Sequence, residues 1–202
     1  MDLYILRHGI AVERGTPGYD VDADRPLTPR GVRRTARIAR GIRALGLRFD
    51  VILTSPCVRA LRTAELTAQA LRARHRLRIS KNLVSEGDPR ALVREIAGMK
   101  PAPGAVLLVG HEPYLSGLIS TLTTGGGLGL LLRKGGLCRL TAEKLRYGRC
   151  AMLRWLLPPS LLVRFRYKGD RHLYCRNEGA CPRFHGPAAA GRTGGYLHND
   201  WY

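Results

Sequence analysis

The stretch Leu3-Tyr4-Ile5-Leu6-Arg7-His8-Gly9 decides how this chain is read. Four successive apolar residues are too few for a helix and suit a strand buried on both faces. The run stops at an arginine and a histidine, followed by a glycine. A cation and an imidazole therefore arrive at the carboxyl end of a buried strand. Open α/β sheets collect their ligands at such ends.

The same grammar recurs outward from this stretch. Val51-Ile52-Leu53 is a strand that runs into Thr54-Ser55-Pro56. Ala105 to Val109 is a continuous apolar run that ends in Gly110-His111-Glu112-Pro113. Helical spacing fills the intervals. Thr28 is an N-cap and Pro29 a first helical residue, with Val32, Ala36, Ala39, Ile42 and Leu45 following before Gly46. A second helix carries Ala60, Ala64, Thr67, Ala68 and Leu71, and a third opens at Pro89 with Leu92, Val93 and Ile96. A fourth runs from Tyr114 to about Leu122. Leu77 to Leu83 reads as a strand, and 137–142 with 150–157 reads as a hairpin. Residues 10–27 and the glycine cluster 125–129 read as loops. The alternation predicts an α/β fold, a three-layer α/β sandwich around a mostly parallel central sheet.

Composition bounds the function. The 202 residues are 45% hydrophobic and 24% charged, which fits a globular domain and not a fibrous or wholly disordered chain. No apolar run approaches the length of a membrane helix. The N-terminus meets charge too early for a signal peptide, so a cytoplasmic location is expected. Five dispersed Cys fit a reducing compartment rather than a disulfide framework. The net charge of +19 favours anionic partners. All but five of the 34 basic residues are Arg, and they are spread rather than clustered, which weighs against a dedicated nucleic-acid binder. From residue 164 onward periodicity fades. We expect a domain over 1–163 and a poorly ordered tail over 164–202. A zinc site on His172, Cys175, Cys181 and His185 is the sharper alternative for the tail, but its spacing matches no common knuckle.

Three strand ends thus deliver Arg7 and His8, Arg59, and His111 to one edge of the sheet. Two guanidiniums can grip a phosphoryl group, a neutral imidazole can attack phosphorus, and a second, protonated His can share the transferring charge. The residues also carry a resemblance. Leu6-Arg7-His8-Gly9, Arg25-Pro26-Leu27-Thr28-Pro29-Arg30-Gly31, Ser55-Pro56-Cys57-Val58-Arg59-Ala60-Leu61-Arg62-Thr63-Ala64 and Val109-Gly110-His111-Glu112-Pro113 resemble, in order, four motifs of the histidine phosphatase superfamily. The likeness covers about residues 1–163. The chain size and the short insert between the third and fourth motifs look like the SixA-type phosphohistidine phosphatases.

That resemblance implies a phosphoglycerate mutase-like fold. It makes His8 the nucleophile that becomes phosphorylated, Arg7 and Arg59 the phosphoryl binders, and His111 the group completing the pocket. It implies no cofactor and no metal. It points to Glu86 as a candidate proton donor, whose role is open. Arg25 is either a substrate-binding residue at the pocket mouth or a salt-bridge partner of Asp22 or Asp24. Cys57 reads as a packing residue, and Gly125-Gly126-Gly127 as a turn. The expected activity is hydrolysis of phosphohistidine on a partner protein. The alternatives are a phosphatase of small phosphate esters, such as a sugar phosphate or nucleotide, and a non-catalytic phosphate- or nucleic-acid-binding module. The oligomeric state is left open.

Overall fold

The computed structural model describes residues 1–165, and the tail with its candidate zinc ligands lies outside the described residues. Among the described residues six strands form one sheet. β1 (Asp2–Arg7), β2 (Val51–Thr54), β3 (Leu77–Ile79) and β4 (Ala105–Gly110) are mutually parallel. β5 (Leu137–Ala142) runs antiparallel to β1, and β6 (Ala151–Leu157) antiparallel to β5. The spatial order is β3-β2-β4-β1-β5-β6. Between the strands lie α1 (Pro29–Ala44), α2 (Val58–Ala70), α3 (Pro89–Ala97) and α4 (Tyr114–Thr124), and α5 (Pro159–Leu162) follows β6.

The period of two in the strands builds the layers. Leu3 and Ile5 join Val51, Leu53, Val106 and Leu108 beneath Leu92, Val93 and Ile96 of α3 and Leu115, Leu118 and Ile119 of α4. Tyr4 and Leu6 join Ile52, Leu107 and Val109 against Ile38 and Ile42 of α1, Ala60, Ala64 and Ala68 of α2, and Leu162 of α5. Both faces are covered, so the strands carry unbroken apolar runs, and the three-layer α/β sandwich expected from the sequence is the observed fold. Each such Leu or Ile withdrawn from water contributes about 1.5–3 kcal/mol. No helix among the described residues is long and apolar enough to cross a membrane.

The helix starts follow their caps. Thr28 Oγ1 accepts from the Gly31 N–H at 2.9 Å, and the Asp88 carboxylate accepts from the Arg90 N–H at 2.8 Å. One expected element is shorter than its pattern. β3 ends at Ile79, and Lys81–Leu83 is a 3-10 turn. Ser80 caps that turn by accepting from the Asn82 N–H, and its hydroxyl donates to Glu95 at 2.6 Å. The side chain thus offers the backbone a local partner in place of the strand ladder. Leu83 still reaches the core from the turn.

The register fixes where the chemistry sits. Arg7 pairs with Gly110, and the Ser55 N–H donates to the Val109 carbonyl at 3.0 Å. The carboxyl ends of β1, β4 and β2 therefore lie side by side.

Candidate active site

His8 is the first residue beyond β1 and is 6% exposed. Its backbone is fixed on both sides. Its N–H donates to the Gly110 carbonyl at 3.1 Å, and the Gly135 N–H approaches the carbonyls of Arg7 and His8 at 3.0 and 3.2 Å. Gly135 has φ of 79°, and a Cβ there would lie 2.5 Å from Ile38 Cδ1, so glycine is required. His8 Nδ1 lies 2.7 Å from the Gly9 carbonyl oxygen. Only an N–H can pair with a carbonyl, so Nδ1 holds the proton and the lone pair of the neutral ring lies on Nε2.

Gly9 explains its own place in the Arg-His-Gly motif. A Cβ on it would lie 2.3 Å from Thr35 Oγ1. Its N–H donates to Thr63 Oγ1 at 3.1 Å, and that hydroxyl donates to the Arg59 carbonyl at 2.7 Å. Thr63 thus couples the turn bearing His8 to the helix bearing Arg59.

His111 follows β4, is 1% exposed, and stacks obliquely on His8 with ring centroids 5.1 Å apart. Its Nε2 lies 2.9 Å from Ser55 Oγ, and Ser55 Oγ also accepts from the Cys57 N–H at 3.3 Å. With the hydroxyl donating to Nε2, the ring proton sits on Nδ1. His111 Nδ1 is buried without a hydrogen-bond partner, as are Arg7 Nε and Arg59 Nε. Arg7 Nη1 donates to the Leu132 carbonyl at 2.9 Å. Three buried donors thus lack acceptors, and a buried unpaired donor is costly until a ligand satisfies it.

Electrostatics keeps both rings neutral. Burial lowers the His8 pKa to about 3, further depressed by His111, Arg59 and Arg7 and opposed by the Gly9 hydrogen bond. Burial lowers His111 to about 4, with Arg59, Arg25 and Arg7 adding to the effect and Asp22 opposing it. The sequence suggests a protonated His111. In the structure, burial among arginines disfavours that extra proton.

Arg59, the second residue of α2, is the most enclosed cation among the described residues, its side chain 3% exposed. Its guanidinium donates to Asp22 Oδ2 at 2.7 Å and to the Asp22 backbone carbonyl. Asp22 Oδ1 also accepts from Arg14 at 2.8 Å and from Arg25 at 2.7 and 3.0 Å. Arg25 Nη1, its third guanidinium nitrogen, donates to the Val12 carbonyl. Of the two readings of Arg25, the salt bridge to Asp22 is the arrangement observed.

Glu86 is exposed and makes no hydrogen bond or ion pair among the described residues. The better enclosed carboxylate is Glu112, next to His111. Its Oε2 accepts from the Ser116 hydroxyl, its Oε1 is buried without a partner, and its charge acts on Arg7. Sequence reasoning gave no role to Ser55, Thr63 or Glu112, although all three lie inside the quoted motifs. It weighed Asp22 only as a partner of Arg25.

Comparison with known proteins places the family and the fold. The sequence profile of the histidine phosphatase superfamily (branch 1) matches residues 3–84. An uncharacterized protein of Picosynechococcus is 39% identical over 148 residues, spanning 72% of this chain and 88% of the relative. One from Mycobacterium leprae is 31% identical over 122 residues, 60% of this chain and 73% of the relative. The protein histidine phosphatase SixA, solved with tungstate, superposes with a TM-score of 0.69 at 21% identity, covering 80% of this chain and 99% of SixA. Phosphoglycerate mutase from Bacillus anthracis superposes with a TM-score of 0.57 at 16% identity, over 80% of this chain and 95% of that one. The fold is thus phosphoglycerate mutase-like, and the chain belongs to the histidine phosphatase superfamily, branch 1.

Proposed function

We propose that this protein is a metal-independent phosphatase that removes phosphoryl groups from phosphohistidine on a partner protein, with His8 as the transient carrier. One observation carries the reading. The bare lone pair of His8 Nε2 belongs to a site with three buried donors that have no acceptor, Arg7 Nε, Arg59 Nε and His111 Nδ1. A phosphoryl group supplies three oxygens to such donors while its phosphorus meets the lone pair.

The reaction has two in-line transfers. Nε2 of His8 bonds to phosphorus as the P–N bond of the substrate breaks, and the departing imidazole takes a proton from solvent. The Gly9 carbonyl stabilises the positive charge that grows on the His8 ring, through the Nδ1–H. Water then bonds to phosphorus, the P–Nε2 bond breaks, and inorganic phosphate leaves with His8 restored. The two arginines and His111 favour the charge spread over the equatorial oxygens in both transition states.

The choice of phosphohistidine rests on the leaving group. Imidazole leaves more readily than an alkoxide and demands less help from an acid. Glu86, the donor suggested by resemblance, is exposed and unengaged. The second reading, hydrolysis of a small phosphate ester, gains support from Glu112, whose buried Oε1 could deliver a proton to an alkoxide. A phosphate-release assay without metal, offering a phosphohistidine protein and a panel of esters, separates the two. Release from phosphohistidine alone supports the first reading, and preferred release from an ester supports the second.

A further inference from the structure

Arg59 already carries an anion, the Asp22 carboxylate. We propose that Asp22 is a built-in competing anion, which holds Arg59 between turnovers, must be displaced by the phosphoryl group, and returns to help expel product phosphate. The proposal rests on the reading that Arg59 binds the phosphoryl oxygens.

Four features argue for exchange rather than permanent pairing. First, Arg59 is almost wholly enclosed, and a buried guanidinium needs a counter-charge whenever substrate is absent. Second, Asp22 is the peripheral partner by position. It is 40% exposed and begins the 3-10 turn Asp22–Asp24 in the connection between β1 and α1, not on the sheet. That loop is fastened at its base by the Ala11–Leu27 bridge and by the Val12 N–H on the Pro26 carbonyl.

Third, the two carboxylate oxygens are divided. Oδ1 serves Arg14 and Arg25, whereas Oδ2 serves Arg59. The Asp22 side chain can therefore turn from Arg59 Nη2 and keep two cationic partners, while the Asp22 backbone carbonyl keeps its contact with Arg59 Nη1, so release of the carboxylate leaves no bare charge. Fourth, Asp22 leaves Arg7 Nε, Arg59 Nε and His111 Nδ1 without acceptors. A phosphoryl dianion can satisfy these as well as Arg59, and it carries twice the charge. The exchange thus favours a phosphorylated substrate over small monoanions such as chloride or acetate. A half-exposed carboxylate tethered at the site also competes with free phosphate after each turnover.

The test is calorimetric titration of the full chain with inorganic phosphate, for wild type, Asp22→Asn, Asp22→Ala and Arg59→Ala. Asn keeps the size of the side chain and removes the charge, which guards against a folding artefact in the Ala variant. Losing one charged acceptor on Arg59 should tighten phosphate binding about tenfold in both Asp22 variants. Phosphate should then inhibit turnover at correspondingly lower concentration. Arg59→Ala should weaken binding at least as much. Unchanged or weaker phosphate binding in both Asp22 variants, with Arg59→Ala still weakened, overturns the competing anion and makes Asp22 a strut that positions Arg59. If Arg59→Ala binds phosphate like wild type, or if no protein binds it, the assignment of Arg59 falls and this inference falls with it.

Discussion

Ser55 Oγ and His111 Nε2 lie 2.9 Å apart, and this contact sets which nitrogen of His111 is left to face a ligand as a donor. Ser55 is itself held by its N–H on the Val109 carbonyl, at the strand end that precedes His111. Removing the hydroxyl frees the ring to choose its tautomer. Ser55→Ala should lower kcat about tenfold with little change in melting temperature. The double variant Ser55→Ala/His111→Ala should be no slower than His111→Ala alone, because the hydroxyl acts through that ring. Additive losses would show that Ser55 acts by another route.

The depressed imidazole values make a pH prediction. Burial and the neighbouring cations push His8 down to about 3 and His111 down to about 4, against an ordinary 6.5. Neutral His8 is the reactive form, so kcat/KM should show no acid limb near pH 6.5 and should fall only toward about pH 4. The rings touch, so the measured value belongs to the pair. Stability follows the same sign. The unfolded chain binds more protons than the folded one between pH 6.5 and about 4. These groups therefore cost the fold nothing above 6.5 and destabilise it progressively as pH falls through that window. A ring-proton NMR titration with a midpoint near 6.5 for either residue would contradict this.

Two glycine substitutions should part company. A Cβ on Gly31 would lie 1.9 Å from the Ile10 carbonyl oxygen, so Gly31→Ala must push α1 away from the turn that follows His8. It should cost about 1–3 kcal/mol in urea unfolding and lower turnover as well. Gly117, within α4, has open space around its Cβ position. Gly117→Ala should be stabilising by about 0.5–1 kcal/mol with activity unchanged.

The carboxylates give a further prediction. Glu86→Gln should spare phosphohistidine hydrolysis, because no donor is required there. If an ester is also turned over, Glu112→Gln should slow that reaction more than Glu86→Gln does, as rates on the two substrates will reveal. A Glu86→Gln enzyme dead on phosphohistidine would return Glu86 to the reaction.

What the sequence disclosed divides along physical lines. Buried parallel strands have apolar runs such as Ala105–Val109 that admit few other readings, and the four motifs fall at their ends. Arg7, His8, Arg59 and His111 were legible because strand order brings strand ends together. The end of β3 was not, because Leu77–Leu83 keeps an apolar pattern while Ser80 diverts the backbone into a turn. Asp22 was not, because its role depends on a loop folding back over 37 residues to Arg59, which no local pattern encodes. The lowered pKa of His111 was not legible either, because it depends on burial and on the arginines around the ring. Ser55 and Thr63 lay in plain view within a motif, but their work consists of hydrogen bonds to residues distant in sequence.

The central claim is that His8 carries the phosphoryl group. The most direct measurement is a rapid-quench reaction with a 32P-labelled phosphohistidine protein, comparing wild type with His8→Ala and quenching in alkali, which preserves phosphohistidine. The account predicts labelled wild-type enzyme within the first turnover, the label mapping to His8, and neither label nor phosphate release in the variant. Phosphate released by the variant at the wild-type rate, or label on any other residue, would contradict it.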